Sequence, residues 1–158
     1  MAMHLRLANP DDERWINERY ASVHFQPSDL ARDLMVVAEV DGVAAGIGRL
    51  VPAGAEACEL GGMHVLDAFR GRGVARAIID ELLRHANGRE VYCIPFAELE
   101  PIYAAAGFAR IERRDDHPEY VREKLAWCER EIPHRPVILM QFAAPAIPSP
   151  RPAGRGLG

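Results

Sequence analysis

Cysteine is scarce in this chain: Cys58, Cys93 and Cys128 are spread over 158 residues and form no C-x-x-C pair. Such spacing argues against a disulfide framework and a thiolate zinc site, and makes a reducing cytoplasm the default compartment. The six histidines stand singly, none at metal-ligand spacing, so no metal site is expected. No run approaches the roughly 18 apolar residues that a membrane-spanning helix requires. The opening MAMHLRLANPDD lacks an apolar segment behind a basic start, which argues against a secretory leader. Bulk charge is missing as well. With a net charge of -4 and a pI near 5.9, neither nucleic acid nor a membrane is an expected partner. No internal repeat is visible. What remains is 49% hydrophobic and 27% charged, an ordinary soluble composition at the length of one domain with a real core.

Local signals divide the chain into alternating elements. A first strand runs from Met3 to Ala8; Asn9 caps a helix with Pro10 in its first turn and Asp11 and Asp12 behind it. Pro27-Ser28-Asp29 predicts a short second helix ending near Asp33. LMVVAEV and VAAGIGRL flank Asp41-Gly42, a two-residue hairpin signal, because the tightest hairpin turns need positive φ at both central residues. A strand from about Ala57 to Leu66 carries Gly61-Gly62, a pair that marks a bulge or a close approach to the backbone. Ala75, Ile78, Ile79, Leu82, Leu83 and Ala86 make the apolar stripe of a helix that Asn87-Gly88 end. REVYCIPF reads as a buried strand, AELEPIYAAAGF as a short helix closed by Gly107, and GFARIERR as another strand. PEYVREKLAWCERE reads as an exposed helix and VILMQFA as a final strand. The expected domain covers 1–143, an α/β fold with a mixed sheet; the proline- and glycine-rich 144–158 reads as a flexible tail.

The stretch FRGRGVARAIID, Phe69 to Asp80, puts two glycines and three arginines at the start of that helix. A helix N-terminus leaves about four backbone N–H groups unpaired and carries roughly half a positive charge. Entered through glycines, it lets a phosphate reach those groups without meeting a Cβ. An ordinary basic turn with solvated arginines is the competing reading. Two phosphate motifs do not fit: no G-x-x-x-x-G-K-[ST] string exists, and a dinucleotide fingerprint would need its third glycine at Arg76.

Read with its neighbours, Val65-Leu66-Asp67-Ala68-Phe69-Arg70-Gly71-Arg72-Gly73-Val74-Ala75 resembles the coenzyme A-binding motif of the GNAT superfamily of N-acetyltransferases. Arg70, Gly73 and Ala75 fill its three defined positions. Ile102-Tyr103-Ala104-Ala105-Ala106-Gly107-Phe108 is similar to the family's Y-x-x-x-G-F signature. The element order matches the family over about residues 3 to 142, implying a mostly antiparallel sheet of six to seven strands flanked by helices. One departure is Phe96, where many members carry a cofactor-contacting asparagine.

The resemblance implies acetyl-CoA as cosubstrate, a pyrophosphate cradle from Arg70 to Arg76 (Gly71, Arg72 and Val74 included), and backbone contacts from Met63, His64 and Val65 to the pantetheine arm. Acetyl transfer to an amine needs an oxyanion donor, an acid for the thiolate and a base for the amine. The implied donor is the Val65 N–H. Tyr103 is the candidate acid, a phenol of pKa about 10 facing a thiolate near about 8.5. Glu59 is the candidate base: it precedes Val65 by six residues and shares its face by alternation, unless the glycine pair inserts a bulge. His64 faces the opposite way and is the lesser candidate. The expected acceptor is a small-molecule or peptide amine, held near His24 to Asp29 and by the Asp115 to Arg135 insertion, which could instead form the face of a homodimer. A non-catalytic acyl-CoA-binding or interaction module on the same fold is the alternative, with a nucleotide-binding α/β protein more remote.

Overall fold

The strands assemble because each hairpin signal acts locally. In the computed structural model, which describes residues 1–143, Asp41 and Gly42 take φ of 51° and 82° and join β2 (Leu34–Val40) to β3 (Val43–Pro52). β1 (Met3–Leu7) pairs with β2, and β4 (Ala57–Val65) with β3, all antiparallel. β5 (Glu90–Cys93) lies parallel to β4; β6 (Phe108–Arg110) and β7 (Met140–Phe142) complete a seven-stranded sheet of order β1-β2-β3-β4-β5-β7-β6.

Helices cover both faces. On one, α2 (Val74–Arg84) buries Val74, Ile78, Ile79 and Leu82 against Val36, Ala38, Leu50 and Leu60, joined by Tyr103 of α3 (Glu100–Ala105). On the other, α1 (Glu13–Ser22) sets Ile16 and Tyr20 against Val37 and Ile47, while α4 (Glu119–Glu131) buries Val121 and Leu125 beside Tyr92 and Leu139. The Asn9 cap forms as its sequence requires: its Oδ1 accepts from the Asp11 N–H at 2.9 Å, and Asp12 accepts from the Asn9 N–H at 2.8 Å.

Several expectations are corrected. No helix forms over 27–33. Side chains there satisfy the backbone instead: Asn17 bonds both Ser28 N–H and C=O, Asp29 accepts from the Ala31 N–H, and Ser28 donates to Asp33 at 2.6 Å. β5 stops at Cys93, before Pro95, which has no N–H to give a ladder; the chain continues as a single bridge between Phe96 and Val137. α4 is not a solvated helix: Val121, Leu125 and Cys128 are buried on it. The expected tail lies outside the described residues.

The glycine pair of β4 decides the geometry of the centre. Ile47 faces His64 across the β3–β4 ladder, but Arg49 faces Gly61, so β4 carries one extra residue at Gly62-Met63. Gly62 has φ of 60°, and its carbonyl accepts from Tyr20 Oη at 2.7 Å. A Cβ there would run into Tyr20 Oη and lie 2.8 Å from Arg49 Nε. Gly62→Ala combines left-handed strain with overpacking, and is expected to cost about 3 kcal/mol. A urea midpoint unchanged from the parent protein would show that Tyr20 and Arg49 yield freely.

Candidate active site

One cleft of about 1270 Å³ runs from the start of α2, past the C-terminal half of β4, to α4 and the turn before β7. β4 and β5 pair only from Ala57–Glu90 to Leu60–Cys93 and diverge beyond, leaving Gly61 to Val65 without a neighbour on that edge. The Leu66 N–H bonds back to Ala45 of β3 at 2.9 Å. By alternation the Val65 and Met63 N–H groups turn toward the edge that β5 has left.

At one end of the cleft, Gly71 and Gly73 take φ of 77° and 80°, and a Cβ on either would meet nothing within 4 Å. Gly73 is the N-cap of α2 with no side chain to cap it; the first helical bond comes from Ala77 N–H to Gly73 C=O at 3.1 Å. The Val74, Ala75 and Arg76 amides therefore present themselves to an open space that an anion fits. Phe69 to Arg76 line this end except Arg72, whose guanidinium sits 5.7 Å over the Phe69 ring. Arg70 pairs with Asp67 at 3.2 Å, and Arg76 turns along α2 to Asp80 at 3.0 Å.

Tyr103 lines the middle of the cleft, buried edge-on against Phe108 with ring centroids 6.0 Å apart. Burial, with Cys93 and Glu59 nearby, pushes its phenol well above the usual value. Phe96 also lines the cleft; Arg135 lies 3.6 Å over its ring and donates to Glu98 at 2.8 Å.

The bulge overturns the face shared by Glu59 and Val65. Val65 packs with the α2-side core beside Met63, whereas Glu59 and His64 lie together on the α1–α4 face. Glu59 is fully buried, and its Oε2 accepts from Lys124 Nζ at 2.7 Å; Oε1 is buried without a partner. Burial, followed by the Arg70 and Arg19 charges, lowers the pKa of His64, so its imidazole is neutral near pH 7.

Lys124, the only lysine in the chain, was missed by sequence reasoning, as were Arg49 and Tyr20. The signal for Lys124 was its place on the buried stripe of α4, three residues after Val121 and four before Cys128. Burial pushes its pKa down, but Glu59 and Tyr120 outweigh that, so it is held above its ordinary value. Lys124→Met leaves a buried carboxylate unpaired and is expected to cost about 3–5 kcal/mol, largely restored by adding Glu59→Gln. Because the folded pKa exceeds the unfolded one, this stability is complete below about pH 10 and fades only as pH climbs through the raised value. Denaturant titrations at pH 7 and above pH 10 test both statements.

Bare amides at a helix N-terminus and a strand edge opened in mid-sheet face the same cleft, one end able to take an anion and the other an extended chain. The chain belongs to the acetyltransferase (GNAT) family, whose model matches residues 3–110. Acetyl-CoA is the cosubstrate this family uses. By fold, the chain is similar to Rv2747 from Mycobacterium tuberculosis, solved with CoA and NLQ (TM-score 0.71, 20% identity, covering 90% of this chain and 99% of that one). It is similar also to N-acetylglutamate synthase from Neisseria gonorrhoeae, solved with coenzyme A and N-acetyl-glutamate (TM-score 0.67, 16% identity, 90% of this chain and 35% of that one). A third likeness is to an IAA acetyltransferase from Bacillus cereus (TM-score 0.59, 14% identity, 89% and 99%). Comparison with curated proteins by sequence finds no significant match.

Proposed function

We propose that the protein transfers an acetyl group from acetyl-CoA to a primary amine of a small molecule or peptide by direct attack. The observation that carries this reading is that uncapped amides of α2, the free edge of β4 and Tyr103 all line one cleft. The Val74 to Arg76 amides would hold the pyrophosphate, with Arg70, Gly71, Arg72 and Gly73 around it. The main chain of Met63, His64 and Val65 would hold the pantetheine arm. Acetyl-CoA supplies an activated acyl group on a stable leaving group. The Val65 N–H donates where negative charge develops on the acyl oxygen, a preorganised dipole worth about 3 kcal/mol. Tyr103 gives its proton to the departing sulfur, and Glu59 receives the amine proton directly or through water. A bare acyl-CoA-binding module would need the amide cradle but neither Tyr103 nor a buried carboxylate with a free oxygen.

Thermal unfolding with acetyl-CoA, coenzyme A, ATP or NAD, all at one concentration about 100 times the dissociation constant of coenzyme A, separates these readings from a plain basic turn. Both coenzyme A forms are expected to add about 2.7 kcal/mol, a midpoint shift of about 5–11 °C, and ATP and NAD much less. A shift with ATP or NAD alone would overturn the proposal.

A further inference from the structure

Arginines that leave the surface normally bring an acid with them. In this chain the half-buried Arg6 pairs with Asp12 and Glu39, while Arg19 and Arg49 are the arginines with a buried Nε that finds no partner among the described residues. Arg49 is different. It is 5% exposed, on a strand otherwise apolar on that face, and lines the cleft. Its Nη1 donates to the Gln26 carbonyl at 3.1 Å, and its guanidinium lies 4.6 Å over the Tyr20 ring. Nε is buried without a partner, and no acidic side chain among the described residues forms an ion pair with it. A buried guanidinium so placed keeps a donor that faces the cleft with no acceptor among the described residues, and a carboxylate is the acceptor that would match both its charge and its geometry.

The neighbourhood states what kind of anion. Glu59 and Lys124 balance each other, which leaves the floor of the cleft with one uncompensated positive charge, on Arg49. The same floor has one uncompensated acceptor, Oε1 of Glu59. The two glycines bring these groups together. A Cβ on Gly61 would lie 2.5 Å from Glu59 Oε2, and one on Gly62 would lie 2.8 Å from Arg49 Nε. Consecutive α carbons are about 3.8 Å apart, so carboxylate and guanidinium lie within about 12 Å of each other at most. The missing side chains at 61 and 62 let the Glu59 carboxylate and the Arg49 guanidinium lie close against the strand backbone at the cleft.

We propose that Arg49 anchors a carboxylate of the acceptor, so that the substrate is an amino-carboxylate whose ammonium meets Glu59 before it reacts. This rests on the acetyl-transfer reading above and narrows its amine to one class. Arg49 binds the end of the acceptor that does not react, and Glu59 meets the end that does. A plain amine would leave the guanidinium buried and unpaired, whereas an amino-carboxylate satisfies both orphaned groups at once.

The test compares acceptors and needs no variant to begin. Wild-type enzyme with acetyl-CoA is assayed by thiol release against the common L-amino acids. Each one that reacts is set beside its α-carboxamide and its decarboxylated amine. Free carboxylates are expected to win by about 100-fold in kcat/KM, mainly through KM. Arg49→Gln is expected to bring that ratio to within about threefold of one, and Arg49→Lys, which keeps charge but loses the planar fork, to an intermediate value. Calorimetric titration of each N-acetylated product into the coenzyme A complex gives a reading independent of turnover. Affinity for free carboxylates is expected to fall at least about tenfold in Arg49→Gln, with coenzyme A affinity as its folding control. Decarboxylated amines acetylated as well as the amino acids would overturn the carboxylate anchor and leave acetyl transfer standing. Amines of neither kind reacting, with no product bound, would overturn both. Discrimination that persists undiminished in Arg49→Gln would place the anchor elsewhere.

Discussion

Tyr103→Phe is expected to lower kcat for acetyl transfer by about 100-fold or more, while leaving the affinity for acetyl-CoA and the unfolding midpoint near those of the parent. Proton donation by a positioned acid contributes about 10²- to 10⁴-fold, and a phenylalanine removes only the donor. Its ring keeps the edge-on contact with Phe108 at 6.0 Å, so α3 retains its packing. Burial first, then Cys93 and Glu59, raises the phenol above its ordinary value of about 10. The same dry surroundings raise the basicity of a departing thiolate as well, which offsets the raised phenol and keeps the uphill proton transfer small. A raised pKa also fixes the pH profile: Tyr103 remains protonated through neutral and mildly alkaline pH, and any loss of rate from its ionisation begins above about 10. Single-turnover thiol release from pH 6 to 10 measures both effects. Full activity in Tyr103→Phe would reduce the residue to part of the cleft wall.

Gly73→Glu is expected to weaken coenzyme A binding at least about 100-fold. The position has φ of 80°, so any side chain there carries strain of about 1–2 kcal/mol, a loss the fold withstands. Nothing lies within 4 Å of its Cβ, so the glutamate has room, and its carboxylate stands over the open amides of α2. There it excludes a pyrophosphate by occupying its space and by repelling its charge. Gly88 supplies the control: φ is 79°, its Cβ also meets nothing within 4 Å, and it lies outside the cleft. Gly88→Glu carries the same strain and charge, and is expected to leave coenzyme A affinity unchanged. Equal affinities in the two variants would mean that the turn after β4 does not hold the phosphates.

Much of this site was legible because its signals are local. Gly71 and Gly73 beside an apolar helical stripe mark a helix entered without Cβ atoms, whatever the rest of the chain does. Asp41-Gly42 sets the β2–β3 pairing at the turn, up to the register shift between Ala38 and Glu39. Tyr103 is picked out by the resemblance of Ile102 to Phe108 to a family signature. The failures share the opposite character. The 27–33 segment has helical start signals, yet the side chain of Asn17, eleven residues away, takes the Ser28 backbone. PEYVREKLAWCERE looks amphipathic and solvated because only the fold shows that a sheet face awaits its Val121 and Leu125.

The sequence by itself determined the class of fold and the glycine-entered helix, because propensity, turn chemistry and periodicity act between residues a few positions apart; Tyr103 came from the resemblance of 102–108 to a family signature. Only the tertiary structure decided which groups face one another. Strand alternation has period two, so the single extra residue at Gly62-Met63 moved Glu59 to the face opposite Val65 and beside His64. Lys124 joins Glu59 across 65 residues of chain, and Arg49 becomes an unpaired buried cation only once Tyr20 and Gly62 close over it. Pairings of that kind are set by how the sheet and its two helical layers pack, and no local pattern encodes them.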